Sequence, residues 1–131
     1  MVKTLQDTRA YIDSLGLCTY MRSPLGFKGD NPDMLILELV TGLRFEDTLM
    51  EIGERIYNLE RLILNREGVG RREDDLPSRI KSEAVVVDET GKPRFLNEGD
   101  FQRMLDEYYK ERGWNPNGQP TMEKLRSLKI P

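Results

Sequence analysis

Residues 45–67 read FEDTLMEIGERIYNLERLILNRE and carry the strongest helical pattern in the chain. Apolar side chains recur three or four positions apart, at Leu49, Ile52, Ile56, Leu59 and Ile63. That spacing aligns them along one side of an α-helix. We therefore expect a helix whose apolar seam forms the buried centre of the domain.

The other sides of this helix carry charged and amide side chains. Glu51 and Arg55 lie four positions apart, so they are expected to form an ion pair on the polar side. A larger set flanks the seam and is interpreted as ion pairs and interdomain contacts rather than catalytic groups: Glu54, Arg55, Asn58, Glu60 and Arg61.

Capping residues and glycines predict further helices on both sides of the central one. They are expected over 2–15, over 32–41, between Asn97 and Gly113, and over 122–128. The spacing predicts two apolar faces. The helix over 2–15 has Val2, Leu5, Ile12 and Leu15 on one face, and the helix between Asn97 and Gly113 has Phe101, Met104, Leu105 and Tyr108. The aromatic residues Tyr108, Tyr109 and Trp114 are interpreted as core.

The stretch between the central helix and Asn97 predicts loop and strand. Residues 71–81 mix both signs of charge and favour a solvated loop. Residues 84–87 are β-branched and can pair with 94–96 across a turn. The sequence therefore predicts an all-α, multihelical fold with at most one small β-hairpin, organised as a single domain over residues 1–131.

The composition excludes several classes of partner. Twenty lysines and arginines face 23 aspartates and glutamates, for a formal net charge of −3, which gives no electrostatic footprint for nucleic acid. No apolar run approaches the roughly 20 residues needed to span a membrane. The N-terminus has no apolar stretch before a small-residue cleavage site, so the sequence does not indicate a signal peptide. We expect a cytoplasmic protein with neither a nucleic-acid nor a membrane partner.

The residue types present also restrict the chemistry. The chain has no histidine and one cysteine, Cys18. The commonest general base is therefore missing, and intrachain disulfides, Ser-His-Asp triads, Cys-His dyads and zinc sites of the usual kind are excluded. We assign no catalytic residue, and a self-contained enzyme is the less favoured interpretation.

The most informative stretch for function is Asp13-Ser14-Leu15-Gly16-Leu17-Cys18. Asp13 falls in the last turn of a predicted helix, where a negative charge opposes the helix dipole. Its carboxylate is therefore a candidate acceptor for the N–H groups of a heterocycle. The alternative is a solvent-exposed Asp13 beside an inert, buried thiol at Cys18.

The Asp-x-x-Gly-Leu-Cys pattern at 13–18 resembles the pterin- and cluster-binding motif near the C-terminus of the tungsten-containing aldehyde ferredoxin oxidoreductases. Three further stretches resemble that family in the same order: GERIYNLER at 53–61, NREG followed by DDLP within 65–77, and a run within 104–125 that holds MLDEYY, RGW and NGQPT. The resemblance covers nearly the whole chain, with 20–31 and 82–96 the least similar.

The resemblance implies the C-terminal helical domain of a larger enzyme, whose N-terminal pterin domain and middle domain this chain lacks. Such enzymes oxidise aldehydes to carboxylic acids, hold tungsten between two pterins, and pass electrons through a 4Fe–4S cluster to ferredoxin. Carried over, Cys18 is the fourth cluster ligand, while Asp13, Leu17 and Thr19 contact one pterin. Thiolate is the usual ligand of iron–sulfur clusters, and a carboxylate can pair with the amino-pyrimidine edge of a pterin.

The implied partners are ferredoxin and the upstream domains, carried on the same chain or on a separate subunit. Because Met1 falls directly before the first helix, we expect either an expressed fragment or the product of a split gene. Alone, such a chain is expected to hold no cofactor and to be inactive. The alternative is a non-catalytic helical module that keeps the scaffold and binds a protein partner.

Overall fold

The computed structural model describes residues 1–16, 18, 32–44, 48–84, 86–87 and 89–131. The helices found there are α1 (Val2–Ser14), α2 (Pro32–Thr41), α3 (Leu49–Arg66), α4 (Ser78–Ser82), α5 (Glu98–Arg112) and α6 (Met122–Ser127). Strand β1 (Val86–Val87) pairs antiparallel with β2 (Pro93–Arg94). The predicted all-α class with one small hairpin is confirmed. Among the helices described, none is long and apolar enough to cross a membrane.

Side-chain caps fix several helix starts. The Asp100 N–H donates to Asn97 Oδ1 at 3.2 Å, and the Lys124 N–H donates to Thr121 Oγ1 at 3.2 Å, so both predicted caps are confirmed. At the start of α3, the Thr48 N–H donates to Glu51 Oε2 at 2.8 Å and the Glu51 N–H donates to Thr48 Oγ1 at 3.2 Å. This reciprocal capping box starts α3 at Leu49, later than the sequence indicates. It also commits the Glu51 carboxylate to the helix start.

The described chain divides into two compact units, Met1–Glu60 with Leu125–Pro131, and Arg61–Lys124. The core of the first unit is formed by Tyr11, Ile12 and Leu49. Partly buried apolar side chains pack around these three: Leu15, Met34, Met50 and Ile52. The predicted apolar stripe of α1 is thus confirmed at its C-terminal end only, because Val2 and Leu5 are exposed.

The apolar seam predicted along α3 is buried at its start and exposed toward its end. Leu49 is buried and Ile56 is half-buried, whereas Leu59 is 48% exposed and Ile63 54% exposed. The prediction of a continuous buried seam is therefore wrong at Leu59 and Ile63. The side of α3 that does face the interior carries glycine and polar residues, which a hydrophobicity pattern does not select.

The placement of Asn58 and Arg61 on a polar flank of α3 is wrong, because both are buried. The interpretation of Arg61 as a member of an ion pair is confirmed by its pair with Asp74. Asn58 Nδ2 donates to the Glu54 carbonyl at 2.9 Å. A polar side chain can lie in the interior when such a partner satisfies it, so polarity alone does not place it on the surface. Arg55, half-buried, donates from Nε to the Leu128 carbonyl at 2.8 Å.

The core of the second unit is aromatic. Tyr109 and Trp114 are buried, with ring centroids 5.7 Å apart, and half-buried Tyr108 meets Trp114 edge to face, also at 5.7 Å. The interpretation of these aromatics as core is confirmed. The apolar face predicted for α5 is less buried than expected, because Met104 is exposed.

Candidate cofactor-contact site

Helix α1 ends as the sequence predicts and presents Asp13 at its last turn. The Leu15 N–H donates to the Tyr11 and Ile12 carbonyls at 3.2 and 3.1 Å, and the Gly16 N–H donates to the Asp13 carbonyl at 3.1 Å. Gly16 has a φ of 66°, a left-handed conformation that glycine adopts without steric cost. The backbone of Asp13 thus closes the helix while its side chain remains exposed.

Cys18 follows this turn and is exposed, with a free thiol. The alternative that its thiol is inert because it is buried therefore does not hold. Leu17 and Thr19, the other residues carried over from the resemblance, lie outside the described residues. Of the four expected site residues, the structure thus places an exposed carboxylate and an exposed thiol on either side of Gly16.

A close helix contact fixes the position of α1. A Cβ atom added at Gly53 of α3 would lie 2.0 Å from the Asp7 carbonyl oxygen, so only glycine permits this approach. The Asp7 side chain is fully buried and accepts from Lys3 Nζ at 2.9 Å. Lys3 Nζ also lies 3.2 Å from Glu54 Oε1 of α3. The helix that carries Asp13 is therefore held against α3 by backbone contact and by the ion pair between Lys3 and Glu54.

Charge balance around Lys3 stabilises this contact. Burial disfavours the ammonium, but the Asp7 and Glu54 carboxylates outweigh that effect and raise the pKa of Lys3 above its ordinary value. Lys3 therefore stays charged at neutral pH. Sequence analysis did not identify Lys3, Asp7 or Gly53, although Gly53 in the middle of a helical pattern is the kind of signal that marks close packing.

A groove of about 540 Å³ runs beside Asp13. Five of its nine lining residues are polar or charged, and the residues come from α1 and α3. The lining residues are Leu5, Gln6, Arg9, Ala10, Asp13, Ser14, Ile56, Tyr57 and Glu60. Asp13 therefore lies at a concave surface formed by α1 and α3.

The second unit contains a strong polar cluster built around Asp74. Arg61 Nη1 donates to Asp74 Oδ1 at 2.8 Å, Arg61 Nη2 pairs with Asp74 Oδ2, and the Tyr109 hydroxyl donates to the same Oδ2. Arg61 Nε donates to the Gly118 carbonyl at 2.6 Å, and its guanidinium lies 4.7 Å from the centre of the Trp114 ring. A bidentate arginine–carboxylate pair of this kind is specific in geometry as well as favourable in energy.

This cluster shifts the pKa values of its members. Burial would raise the pKa of the Asp74 carboxyl, but hydrogen bonds from Arg61 and Tyr109 outweigh burial and lower it. Burial and the Asp74 carboxylate together raise the pKa of Tyr109. Asp74 therefore stays ionised and Tyr109 stays protonated across the physiological range. Neither group is poised for proton transfer near neutral pH, so we interpret the cluster as structural.

The interpretation of residues 71–81 as a solvated loop is accordingly wrong at Asp74 and Arg71. Arg71 is half-buried and pairs with Asp106 at 2.5 Å while donating from Nη2 to Gln102 Oε1 at 2.8 Å. The chain folds inward here because each charge finds a partner of opposite sign. A sequence with mixed charges does not specify which charges pair, so the pattern could not predict these contacts.

A second cavity, of about 760 Å³, lies in this unit between α3, the following loop and the turn before α6. Each of its charged lining residues is already paired: Arg71 with Asp106, Arg72 with Glu73, and Asp75 with Lys81. Across the described part of the chain, no group of three or more His, Cys, Asp or Glu side chains could hold a metal ion.

The chain matches a family model described as aldehyde ferredoxin oxidoreductase, domains 2 and 3, over residues 1–130. It is 40% identical to the tungsten-containing aldehyde ferredoxin oxidoreductase of Pyrococcus abyssi, an alignment that covers 98% of this chain and 20% of the relative. It is 38% identical to the protein of the same name in Thermococcus kodakarensis, over 99% of this chain and 21% of the relative.

A more distant similarity carries a different name. The chain is 30% identical to the aliphatic sulfonate oxidoreductase, WOR-like subunit, of Pyrococcus furiosus, over 92% of this chain and 20% of the relative. In each of these comparisons the chain spans about one fifth of the length of the relative it matches.

Proposed function

The chain belongs to the aldehyde ferredoxin oxidoreductase family, and from that membership we propose that it works as the C-terminal part of a tungsten-dependent enzyme that oxidises aldehydes to carboxylic acids. In that reaction water supplies the added oxygen, and an electron pair and protons are released. The electrons leave through a 4Fe–4S cluster to ferredoxin. The observation that carries the proposal is the match of nearly the whole chain to tungsten enzymes, together with an exposed Asp13 and Cys18 at one helix end.

The residues at the end of α1 fit the groups that the family implies. A solvent-exposed thiol can ligate iron, because a thiolate is the usual protein ligand of iron–sulfur clusters. An exposed carboxylate beside a groove with mixed polar and apolar walls can accept hydrogen bonds from the N–H edge of a pterin. When bound, the tungsten–pterin group supplies the redox chemistry, and the protein supplies its binding and orientation.

We assign separate tasks to the residues around Gly16. Asp13 accepts hydrogen bonds from one pterin, with Leu17 and Thr19 as further contacts. Cys18 donates the fourth thiolate of the cluster. The chain has no other cysteine and no histidine, so the remaining cluster ligands come from the part of the enzyme outside these 131 residues.

The sequence identities favour aldehydes as the substrates, because the chain is more similar to the aldehyde enzymes than to the relative with another name. Identity to the aldehyde enzymes is 38–40%, against 30% for the relative named as a sulfonate oxidoreductase. Both kinds of relative contain this region, so we assign the region to cofactor contact and place substrate selection elsewhere in the enzyme.

The test is to purify the complete enzyme that contains this chain and to measure tungsten, pterin, iron and aldehyde-dependent reduction of ferredoxin. The proposal expects stoichiometric tungsten and a carboxylic acid product. A complete assembly that forms without tungsten or pterin and does not oxidise aldehydes would support instead the non-catalytic interaction module.

A further inference from the structure

Helix α2 exposes apolar side chains while it buries a carboxylate. Leu39 is 74% and Val40 81% exposed, and Leu35 and Leu43 are exposed as well, whereas Asp33 is buried. Leu35 and Leu39 are four positions apart and therefore share one side of the helix, whereas Val40 is exposed on another side near the helix end. An ordinary surface helix has the reverse pattern, with its apolar side chains turned inward.

The orientation of α2 follows from its own packing. Met34 packs against the Tyr11, Ile12 and Leu49 core of the first unit, and the neighbouring Asp33 is buried. These inward contacts leave Leu35 and Leu39 on the outer side of the helix. The exposed face is thus a consequence of how the helix is anchored.

The exposed face is also poor in charge. Residues 34–43 contain one charged side chain, Glu38, which is half-buried. Leaving large apolar side chains in water forgoes the favourable free energy of burying them. Contiguous apolar patches of this kind mark interaction sites on soluble proteins.

We propose that the α2 face, defined as Leu35 and Leu39 of the helix with Leu43 just after its end, is the contact surface for the part of the oxidoreductase that lies outside these 131 residues. The chain spans about one fifth of its relatives, so a much larger protein mass is available to cover the face. A second argument rests on the proposed function. The remaining cluster ligands must reach Cys18, which belongs to the same unit as α2, so the outside part must contact this unit.

The surface can be tested by photo-crosslinking in the complete enzyme. Leu39 is replaced by the photoreactive residue p-benzoylphenylalanine, and cross-linked peptides are identified by mass spectrometry after irradiation. The matched control carries the same residue at Arg103, an exposed position on α5. The proposal expects cross-links from position 39 to peptides outside residues 1–131, in several-fold higher yield than from position 103.

Each other outcome overturns the proposal. Cross-links from position 39 to another copy of residues 1–131 would assign the face to a dimer contact. Equal yields at positions 39 and 103, or no cross-link at 39, would show that the face stays open. Iron content and the cluster spectrum of the same sample report on the proposed function separately. A cross-link to the outside part without a cluster would retain the α2 face and overturn the cluster assignment.

Discussion

The carbonyl oxygen of Asp7 and the Cα of Gly53 are in such close contact that a methyl group at position 53 would lie 2.0 Å from that oxygen. The contact joins the helix that carries Asp13 to α3, the longest of the helices in the described part of the chain. The two helix backbones can pack this closely only because residue 53 is glycine. The position of the candidate site therefore depends on Gly53.

We expect Gly53→Ala to destabilise the protein by about 1–3 kcal/mol, because the added methyl must push the two helices apart. Chemical denaturation measures the change in the free energy of unfolding. Gly99→Ala is the matched control, because its nearest contact is the end of the Asn97 side chain at 3.2 Å. If both variants unfold at the same denaturant concentration as the wild type, the close packing of α1 on α3 is wrong.

The carboxylate of Asp74 should matter much more than that of Asp106, although each accepts from an arginine. Asp74→Asn weakens hydrogen bonds to a buried arginine and to Tyr109, and should cost about 1.5–3 kcal/mol. Asp106 is largely exposed, so Asp106→Asn should cost less than about 1 kcal/mol. Thermal or denaturant unfolding of the two variants gives the order directly. The reverse order would place the structural ion pair of this unit at Arg71 instead of Arg61.

Tyr109 should make the free energy of unfolding fall at alkaline pH, and Tyr109→Phe should remove that part of the pH dependence. The pKa of Tyr109 is raised in the folded state, so the unfolded state loses this proton first as the pH rises above its ordinary value of 10.0. The stability contributed by Tyr109 is complete below pH 10 and declines above it. The difference in unfolding free energy between wild type and Tyr109→Phe should therefore shrink above pH 10. A difference that stays constant through this range would contradict the buried hydrogen bond to Asp74.

The acid side of the pH profile should depend on Asp74. Its pKa is lowered in the folded state, so its contribution is present above the ordinary carboxyl value of 3.8 and is lost as the pH falls through the folded value. In Asp74→Asn this part of the acid destabilisation should be missing. Unfolding curves collected between neutral pH and pH 2 measure it, and identical acid profiles for the two proteins would assign the acid limit to other carboxylates.

Asp13 should contribute to cofactor retention without stabilising the fold. Its charge lies in the last turn of α1 and opposes the helix dipole, so Asp13→Asn should leave the unfolding free energy unchanged or up to about 1 kcal/mol higher. In the complete enzyme the same change should lower pterin and tungsten content, because a charged acceptor becomes a neutral amide. Glu111→Gln removes an exposed carboxylate in the last turn of α5, outside the groove, and is the control that should retain both. Full occupancy in Asp13→Asn would remove Asp13 from the site.

Much of the fold could be predicted because local signals decide it. Asn97, Thr121 and Gly16 act through bonds to residues a few positions away, so the sequence is enough to place those helix ends. The four motifs also identified the family, which the comparisons confirm.

Tertiary features could not be predicted in the same way. The buried side of α3 is set by a glycine that touches Asp7 and by an arginine that reaches Asp74 and Gly118. Those partners are distant in sequence, and hydrophobicity alone directs Arg61 to solvent and Leu59 to the core. At the candidate site, the sequence indicates Asp13 and Cys18 but not the α1–α3 contact that holds α1 in place.

The most direct test of the whole account is the cluster spectrum of Cys18→Ala in the complete enzyme, recorded by electron paramagnetic resonance with iron analysis. Cys18 is exposed and is the only thiol of the chain, so its removal should leave the cluster short of one ligand. We expect a damaged or three-iron cluster and impaired reduction of ferredoxin. An intact 4Fe–4S spectrum with normal reduction of ferredoxin would contradict the assignment of Cys18 and with it the proposed role of this chain.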